Sequence, residues 1–343
     1  MTTELIRDLQ SGALSEAIAD IAEAAAAVIL PYWRTGVAHM TKADDSPVTR
    51  ADHEAEALIL AALAERWPGV QAVGEEQAEA DGKPAVLEEV FWLIDPLDGT
   101  RGFVEGREAF TVNIALIRGD APVAGVVTAP ASGVTWRSTA PGQGAATRRF
   151  GEAWRPIKVR DRPTEGSALM SHSLTDEEAA RLAARHGCTR WQGTDSSLKF
   201  CLIAEGRFDA YPRSGPTSEW DTAAGQAVLE AAGGRVLADD GGPRRGRLGA
   251  GGGWVVGPSP RGGGGCQGGH GGGGVGLIRA RYWPVRLLTQ PPHPSRSASH
   301  LLPRRGEGSL RANLDQTFRP RRQRRDAVTA GDLGGFRQGQ GDA

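Results

Sequence analysis

The stretch FWLIDPLDGTRGF, Phe91 to Phe103, starts as an apolar strand and then places two carboxylates, Asp95 and Asp98, around a proline. Like charges this close repel each other unless a positive charge lies between them. Asp, Pro and Gly are also the residues that turns use most, so an Asp-Pro turn followed by an Asp-Gly turn explains the same letters. The stretch alone leaves a metal site and a pair of turns equally open.

The chain of 343 residues is long enough for one large domain or two ordinary ones. No apolar run approaches the length of about 20 residues that a helix needs to cross a bilayer, and MTTELIRDLQ does not resemble a secretory signal. The three cysteines have neither metal-ligand spacing nor the pattern of a disulfide framework. We expect a cytoplasmic protein, with peripheral attachment to the inner membrane as the alternative, and the sequence leaves the oligomeric state open.

The net charge of −1 hides two unlike parts of the chain. Residues 241–343 contain 17 Arg, no Lys and 5 acidic residues, a balance of +12, which leaves −13 for residues 1–240. The same segment holds 26 of the 48 glycines and no regular apolar period, so it cannot bury enough surface to offset chain entropy. We predict a disordered tail, either a frame-shift product of a GC-rich gene or an RGG-like nucleic-acid segment, and its irregular RGG spacing favours the former.

The first 240 residues have the periodicity of a layered α/β or α+β protein. Helical spacing of apolar residues predicts helices in LSEAIADIAEAAAAVILPYW, TRADHEAEALILAALAERW, TDEEAARLAARHG, SSLKFCLIAEGR and EWDTAAGQAVLEAAGG. Short β-rich runs between turns predict strands in VQAVGEE, FWLIDP, FTVNIALIRG, PVAGVVTAP, GSALMSHS and FDAYPR. We predict a folded domain over residues 1–240, with subdomains of about 1–160 and 161–240.

Acidic residues recur at the ends of these predicted elements, namely Glu75, Asp95, Asp98 and Asp221. Mg²⁺ prefers carboxylate and carbonyl oxygens and commonly works beside a substrate phosphate. Gly99 would let a ligand approach the backbone, and a helix that starts at Thr100 would offer free N–H groups to a phosphate. The alternatives are a helix N-terminal acid for Asp221 and a solvated turn for Glu75.

The motifs GEE, DPLDGT and WDTAAG, in this order and at these intervals, resemble the inositol monophosphatase superfamily of magnesium-dependent, lithium-sensitive phosphatases. Within it, KADDSPVTRAD, FTVNIALI and SSLKFCLIAEGRFDAYPRSGPTSEWDTAAG are similar to bacterial 3'(2'),5'-bisphosphate nucleotidases of the CysQ type, and the similarity runs from about Leu14 to Val236. The resemblance implies that superfamily's layered α-β-α-β-α sandwich, and motifs in register make the turn-only interpretation improbable.

A metal site follows from the same resemblance. It implies that Glu75, Asp95 and the carbonyl of Leu97 hold one Mg²⁺ ion, while Asp95, Asp98 and Asp221 hold a second. A third, weaker ion would lie near Glu75 through waters. In this arrangement Asp95 bridges the first two ions, and the metal charge makes the closeness of the aspartates favourable.

The catalytic residues implied by the resemblance are Asp52, Thr100 and Glu75. Thr100 would position the attacking water, and Asp52 would accept its proton. Asp52 by itself could equally be a helix N-cap.

The substrate contacts implied in the same way are Lys42, Gly99, Thr100, Ser171, His172 and Asp221. Related sequences carry SRSH where this chain has MSHSL, so Ser171, His172 and Ser173 are shifted or altered contacts to a second phosphate. A solvated loop lysine and an ordinary loop histidine are the alternatives for Lys42 and His172. The ending GGPRRGRLGAGGGWVV departs from the GKPG-like turn of the family.

The implied reaction is hydrolysis of the 3'-phosphate of adenosine 3',5'-bisphosphate to AMP and phosphate, with the sulfated nucleotide as a second substrate. An inositol-phosphate or histidinol-phosphate phosphatase with the same metal site is the enzymatic alternative, which FTVNIALI and YPRSGPT disfavour. The non-enzymatic alternative is a degenerate phosphatase fold whose basic tail binds nucleic acid. The presence of every matched metal and base residue disfavours it.

Overall fold

The computed structural model describes residues 1–35, 39–41, 47–213, 215, 217–238 and 254–258. Its helices are α1 (Thr3–Ser11), α2 (Ala13–Thr35), α3 (Arg50–Arg66), α4 (Glu75–Asp81), α5 (Thr100–Val104), α6 (Asp176–Arg185), α7 (Leu198–Ala204) and α8 (Trp220–Ala231). Its strands are β1 (His39–Thr41), β2 (Pro47–Thr49), β3 (Gln71–Gly74), β4 (Val90–Asp98), β5 (Thr111–Arg118), β6 (Ala121–Ala129), β7 (Val134–Ser138), β8 (Ala145–Arg149), β9 (Arg155–Ile157), β10 (Gly166–Met170), β11 (Cys188–Gly193), β12 (Tyr211–Arg213), β13 (Gly234–Ala238) and β14 (Trp254–Pro258). Every predicted helix and strand is present, and none of the helices in these ranges is long and apolar enough to cross a membrane.

The largest sheet has seven strands in the order β3-β4-β5-β6-β7-β8-β9. Strands β3 and β4 are parallel, and each later neighbouring pair is antiparallel. Gly119, with φ of 62°, allows the short turn that joins β5 to β6. The sheet is therefore mostly a meander of hairpins, and it places the end of β4 near its centre.

The two faces of this sheet are both covered by helices. Side chains alternate along β4, so Trp92 and Ile94 join one apolar cluster with α1, α2 and α3, while Phe91 and Leu93 join another with α7 and α8. Full burial of such a side chain contributes about 1.5–3 kcal/mol. Helix α8 lies directly on β6, where a Cβ at Gly125 would come within 2.7 Å of the Ala224 carbonyl.

A second β-layer lies on the other side of α7 and α8. It consists of the parallel pair β10–β11 and the sheet β12-β14-β13, joined by a bridge between Ala168 and Ala210. Leu169 packs with α7 and α8, whereas Ala168 and Met170 form a separate cluster with α6. The order of layers confirms the predicted α-β-α-β-α sandwich.

Strand β14 lies in the segment that was predicted to be disordered. It pairs with β12 through Tyr211↔Val256 and with β13 through Val236↔Val256. The prediction is wrong for these five residues, because WVVGP is too short to show a period and its glycine-rich flanks mask its β propensity. The remaining tail and the predicted boundary at residue 240 stay predictions.

Candidate active site

A bulge at the end of β4 brings Asp95 and Asp98 to the same side of the strand. Asp95 pairs with Asn113 and Asp98 pairs with Thr111, so β4 has one more residue than β5 over this interval. Without that extra residue, two side chains at this odd spacing would point to opposite faces of the sheet. The amide of Leu97 closes the bulge by donating to Asp95 Oδ1 at 3.1 Å. The strand therefore ends in two carboxylates that point the same way.

The other predicted acids converge on this bulge. Desolvation raises the pKa of Asp95 well above its usual range, and repulsion from Glu75, Asp98, Asp221 and Asp52 raises it further. Desolvation, followed by repulsion from Asp221, raises the pKa of Asp98 to about 7. Asp221, in the first turn of α8, also has a pKa raised by desolvation. We call Asp95, Asp98 and Asp221 the acidic cluster.

Each residue of the acidic cluster keeps one oxygen for a ligand. Asp98 Oδ2 accepts from the Ser197 amide at 2.5 Å, and Asp221 Oδ2 accepts from the Ser218 amide at 3.0 Å and from a threonine hydroxyl. Their Oδ1 atoms, and Oδ2 of Asp95, accept no hydrogen bond from the described residues.

The donor chemistry of the acidic cluster suits a hard cation. Carboxylate oxygens without donors, held together against their own repulsion, are what Mg²⁺ or a similar ion neutralises. Among the described residues, no group of three or more His, Cys, Asp or Glu side chains is already arranged to hold a metal ion.

Thr100 and Asp52 both lie in first turns of helices beside the cluster. Helix α5 begins at Thr100, the start that the sequence analysis considered, after Gly99 in the left-handed conformation, with φ of 94°. The hydroxyl of Thr100 donates to the Leu97 carbonyl at 2.9 Å, so the predicted carbonyl ligand is already hydrogen-bonded. Asp52 is 1% exposed in the first turn of α3.

Glu56 is a residue near the site that the sequence analysis missed. Its carboxylate accepts from the amides of Glu76 and Gln77 at 2.9 and 2.8 Å and so holds the start of α4, which carries Glu75. The absence of a side chain at Gly74 makes room for it. Glu56 lies one helical turn after Asp52, so the shared face of α3 was a usable indication.

A cavity of about 410 Å³ opens beside the acidic cluster. The predicted residues that line it are Asp98, Gly99, Ser171, His172, Ser173 and Asp221. Thr100 is not among the lining residues, and Lys42 lies outside the described residues. The structure thus brings these six predicted residues together at one cavity, while their individual roles stay predictions.

Two cations in the same cavity, Lys199 and Arg213, were not predicted as site residues. We call them the basic pair. Lys199 is buried, donates to the Thr194 carbonyl at 3.3 Å and lies 4.9 Å from the centre of the Tyr211 ring. Burial lowers the pKa of Lys199 to about 8, although Asp98 favours its charged form. A lysine inside the apolar run LKFCLIA was an indication that the sequence offered.

Arg213 comes from β12 and donates to the Tyr211 hydroxyl at 3.0 Å. Burial raises the pKa of Tyr211 to about 12, so the phenol stays neutral and serves as an acceptor for the guanidinium. The basic pair therefore places cationic groups next to the acidic cluster within one cavity.

The fold and the site together define the class of protein. The model of the inositol monophosphatase family matches residues 13–262, and the chain belongs to that family, whose members are generally metal-dependent. The match extends past residue 236, where the recognised similarity ended, and it includes β14.

Among curated proteins, the chain is similar to 3'(2'),5'-bisphosphate nucleotidases named CysQ. The one from Salmonella typhimurium is 43% identical over 196 residues, which is 57% of this chain and 77% of the relative. The one from Aggregatibacter actinomycetemcomitans is 31% identical over 244 residues, 69% of this chain and 85% of the relative.

Solved structures show the same relationship. CysQ from Bacteroides thetaiotaomicron is 33% identical, with a TM-score of 0.59 over 73% of this chain and 97% of that one. An inositol monophosphatase from Anabaena is 28% identical, with a TM-score of 0.56 over 73% and 91% of the two chains.

Proposed function

We propose that this protein is a magnesium-dependent phosphomonoesterase that removes the 3'-phosphate of adenosine 3',5'-bisphosphate. The observation that carries the proposal is that Asp98 and Asp221 of the acidic cluster line the same cavity as the basic pair. A substrate with two phosphate groups needs a metal site for the phosphate that is cleaved and cationic side chains for the phosphate that is kept. The nucleotidase names of the relatives support this substrate class.

The acidic cluster, Glu75 and the Leu97 carbonyl would hold the Mg²⁺ ions. When bound, such ions lower the pKa of a water and stabilise the charge that develops on the leaving oxygen. The chain itself supplies orientation, because the amides of Ser197 and Ser218 fix the carboxylates of Asp98 and Asp221. Attack by water on phosphorus then needs no covalent intermediate with the protein.

Thr100 and Asp52 would together remove the proton of the attacking water. The Thr100 hydrogen is donated to the Leu97 carbonyl, which leaves the Oγ1 lone pairs to accept from a water. For the proton to reach Asp52, the hydroxyl must turn from Leu97 toward the Asp52 carboxylate. Asp52 is then the general base and Thr100 the group that holds the water.

The test compares phosphate release from adenosine 3',5'-bisphosphate, an inositol monophosphate and histidinol phosphate. We expect kcat/KM to be at least about 100-fold higher for the bisphosphate, because the two rivals leave the basic pair without a phosphate partner. EDTA should abolish turnover, added Mg²⁺ should restore it, and Li⁺ should inhibit it. Preference for an inositol or histidinol ester would overturn the substrate assignment, and full activity in EDTA would overturn the metal mechanism.

A further inference from the structure

Three side chains in the cavity, a guanidinium, a carboxylate and an imidazole, form a continuous chain that the proposed reaction does not use. Asp195 Oδ2 lies 3.0 Å from Arg107 Nε and 3.0 Å from His172 Nδ1. Arg107 forms a second ion pair with Glu105. We call Arg107, Asp195 and His172 the rim bridge.

The rim bridge joins three segments that are distant in sequence. Arg107 follows α5, the helix that begins at Thr100, whereas His172 follows β10 and Asp195 precedes α7. The backbone next to Asp195 is held firmly, since Ser196 adopts a left-handed φ of 56° and the next amide donates to Asp98. Asp195 therefore lies two residues before the amide that fixes the Asp98 carboxylate.

Two glycines leave the space that the rim bridge occupies. A Cβ at Gly193 would lie 2.8 Å from Cδ2 of His172, closer than real contacts allow. A Cβ at Gly102 would lie 3.1 Å from Nε of Arg107 and 3.4 Å from Oδ2 of Asp195. Neither glycine has a positive φ, so a substitution at either position tests the space and not the backbone conformation.

The charge balance of the rim bridge differs from that of the basic pair. The guanidinium of Arg107 is compensated by the carboxylates of Asp195 and Glu105, so Arg107 is not a free cation that could bind a phosphate. The imidazole of His172 directs Nδ1 at Asp195, which keeps Nε2 as its acceptor in the neutral ring. Such a surface suits a neutral group that carries hydrogen-bond donors, as ribose hydroxyls and the adenine amine do.

We propose that Asp195 is a positioning residue that holds His172 and Arg107 in place, so that the cavity recognises the nucleoside part of the substrate. The inference rests on the proposed function. It assigns the cleaved phosphate to the acidic cluster, the retained phosphate to the basic pair and the nucleoside to the rim bridge. A small phosphate ester without a nucleoside should therefore be insensitive to the rim bridge.

The experiment measures kcat and KM of Asp195→Ala, Asp195→Asn and Gly193→Ala with adenosine 3',5'-bisphosphate and with p-nitrophenyl phosphate. For Asp195→Ala we expect the KM for the bisphosphate to rise about tenfold, as loss of a charged hydrogen-bond partner implies. We expect kcat for either substrate to change less than about twofold. Asp195→Asn keeps an oxygen acceptor, so it should raise the KM for the bisphosphate less than Asp195→Ala does.

Gly193→Ala separates the rim bridge from the basic pair. Asp195 also favours the charged form of Lys199, so its removal alone could weaken the phosphate contact. Gly193→Ala leaves Asp195 and Lys199 intact and displaces His172. It should also raise the KM for the bisphosphate and leave the KM for p-nitrophenyl phosphate unchanged. Asp81→Asn, at the exposed end of α4, is the matched control.

The outcomes distinguish this inference from the proposed function. A wild-type protein that does not prefer the bisphosphate overturns the proposed function. A wild-type preference that survives unchanged in Asp195→Ala and Gly193→Ala overturns the positioning role. An equal loss for both substrates together with a lower melting temperature shows that Asp195 only stabilises the fold, and if Asp195→Ala does not fold, Asp195→Asn and Gly193→Ala give the same decision.

Discussion

Asp98 and Asp221 of the acidic cluster line the same cavity as the basic pair, but different contacts hold the two groups. Asp98 and Asp221 each accept a backbone amide at the start of a helix, so rigid backbone fixes their carboxylates. Lys199 instead donates to a carbonyl and lies against an aromatic ring, and Arg213 binds a phenol. The acidic side of the cavity is thus fixed by contacts to the backbone, and the cationic side is held mainly by contacts to side chains.

Desolvation shifts the pKa values of Asp98 and Lys199 in opposite directions. It raises the pKa of Asp98 to about 7 and lowers the pKa of Lys199 to about 8, so each group is pushed toward its neutral form. Each also favours the charged form of the other. A cation bound beside Asp98 and an anion bound beside Lys199 would keep both groups charged. The following experiments test that difference.

The largest effect is expected from Asp98→Asn, which removes one charge and almost no volume. Turnover should fall by about a thousandfold, because metal binding contributes several kcal/mol to the reaction. Phosphate release measures the loss, with Asp81→Asn as the control. Unchanged activity would show that the carboxylates only form a turn.

The same variant should be more stable than the wild type when metal is absent. The pKa of Asp98 in the folded protein is about 7, above the ordinary value of 3.8, so its stabilising contribution is complete below pH 3.8 and is lost as the pH rises to 7. At pH 8 in EDTA we expect Asp98→Asn to melt about 5 °C higher than the wild type. Circular dichroism melts at pH 5 and pH 8 check the sign, since the gain should be smaller at pH 5.

A smaller effect on activity is expected from ending the chain at residue 240, which removes β14 and leaves β12 without its sheet neighbour. Because β12 carries Arg213, we expect the melting temperature to fall by about 10 °C and the KM for the bisphosphate to rise. A chain that ends at residue 262, the limit of the family match, is the control and should behave like the full chain. Equal behaviour of both truncations would show that β14 is dispensable.

A third effect concerns the basic pair alone. Lys199→Met keeps the length of the side chain and removes its charge, so the KM for adenosine 3',5'-bisphosphate should rise about 30-fold. The rate with p-nitrophenyl phosphate should stay within about twofold, since that ester has no second phosphate. Lys158→Met, on the surface, is the matched control. An equal loss with both substrates would show that Lys199 acts, like the acidic cluster, on the phosphate that is cleaved.

The smallest effect is a pH dependence of substrate binding. Lys199 is charged below its pKa of about 8 and neutral above it, so the KM for the bisphosphate should rise about fivefold between pH 7 and pH 9. Lys199→Arg keeps its charge over that range and should flatten the rise. Parallel profiles for the wild type and Lys199→Arg would contradict the assignment.

The sequence by itself determined the family, the layered order of helices and strands, and the residues of the acidic cluster. Apolar periodicity predicted α3, β4 and α8 because neighbours a few residues apart decide which face of an element is buried. DPLDGT and WDTAAG were recognisable because a turn and a helix start need particular residues at fixed short spacings.

Only the tertiary structure decided the bulge that aligns Asp95 with Asp98, the basic pair, the rim bridge and the place of β14. In each case the partner is far away in the chain, as when the Ser197 amide donates to a carboxylate 99 residues before it. Local propensity carries no information about such a partner, because the contact exists only after the layers have packed. Whether a lysine such as Lys199 is solvated or buried in a cavity is settled by that packing, and the chemistry of the site follows from it.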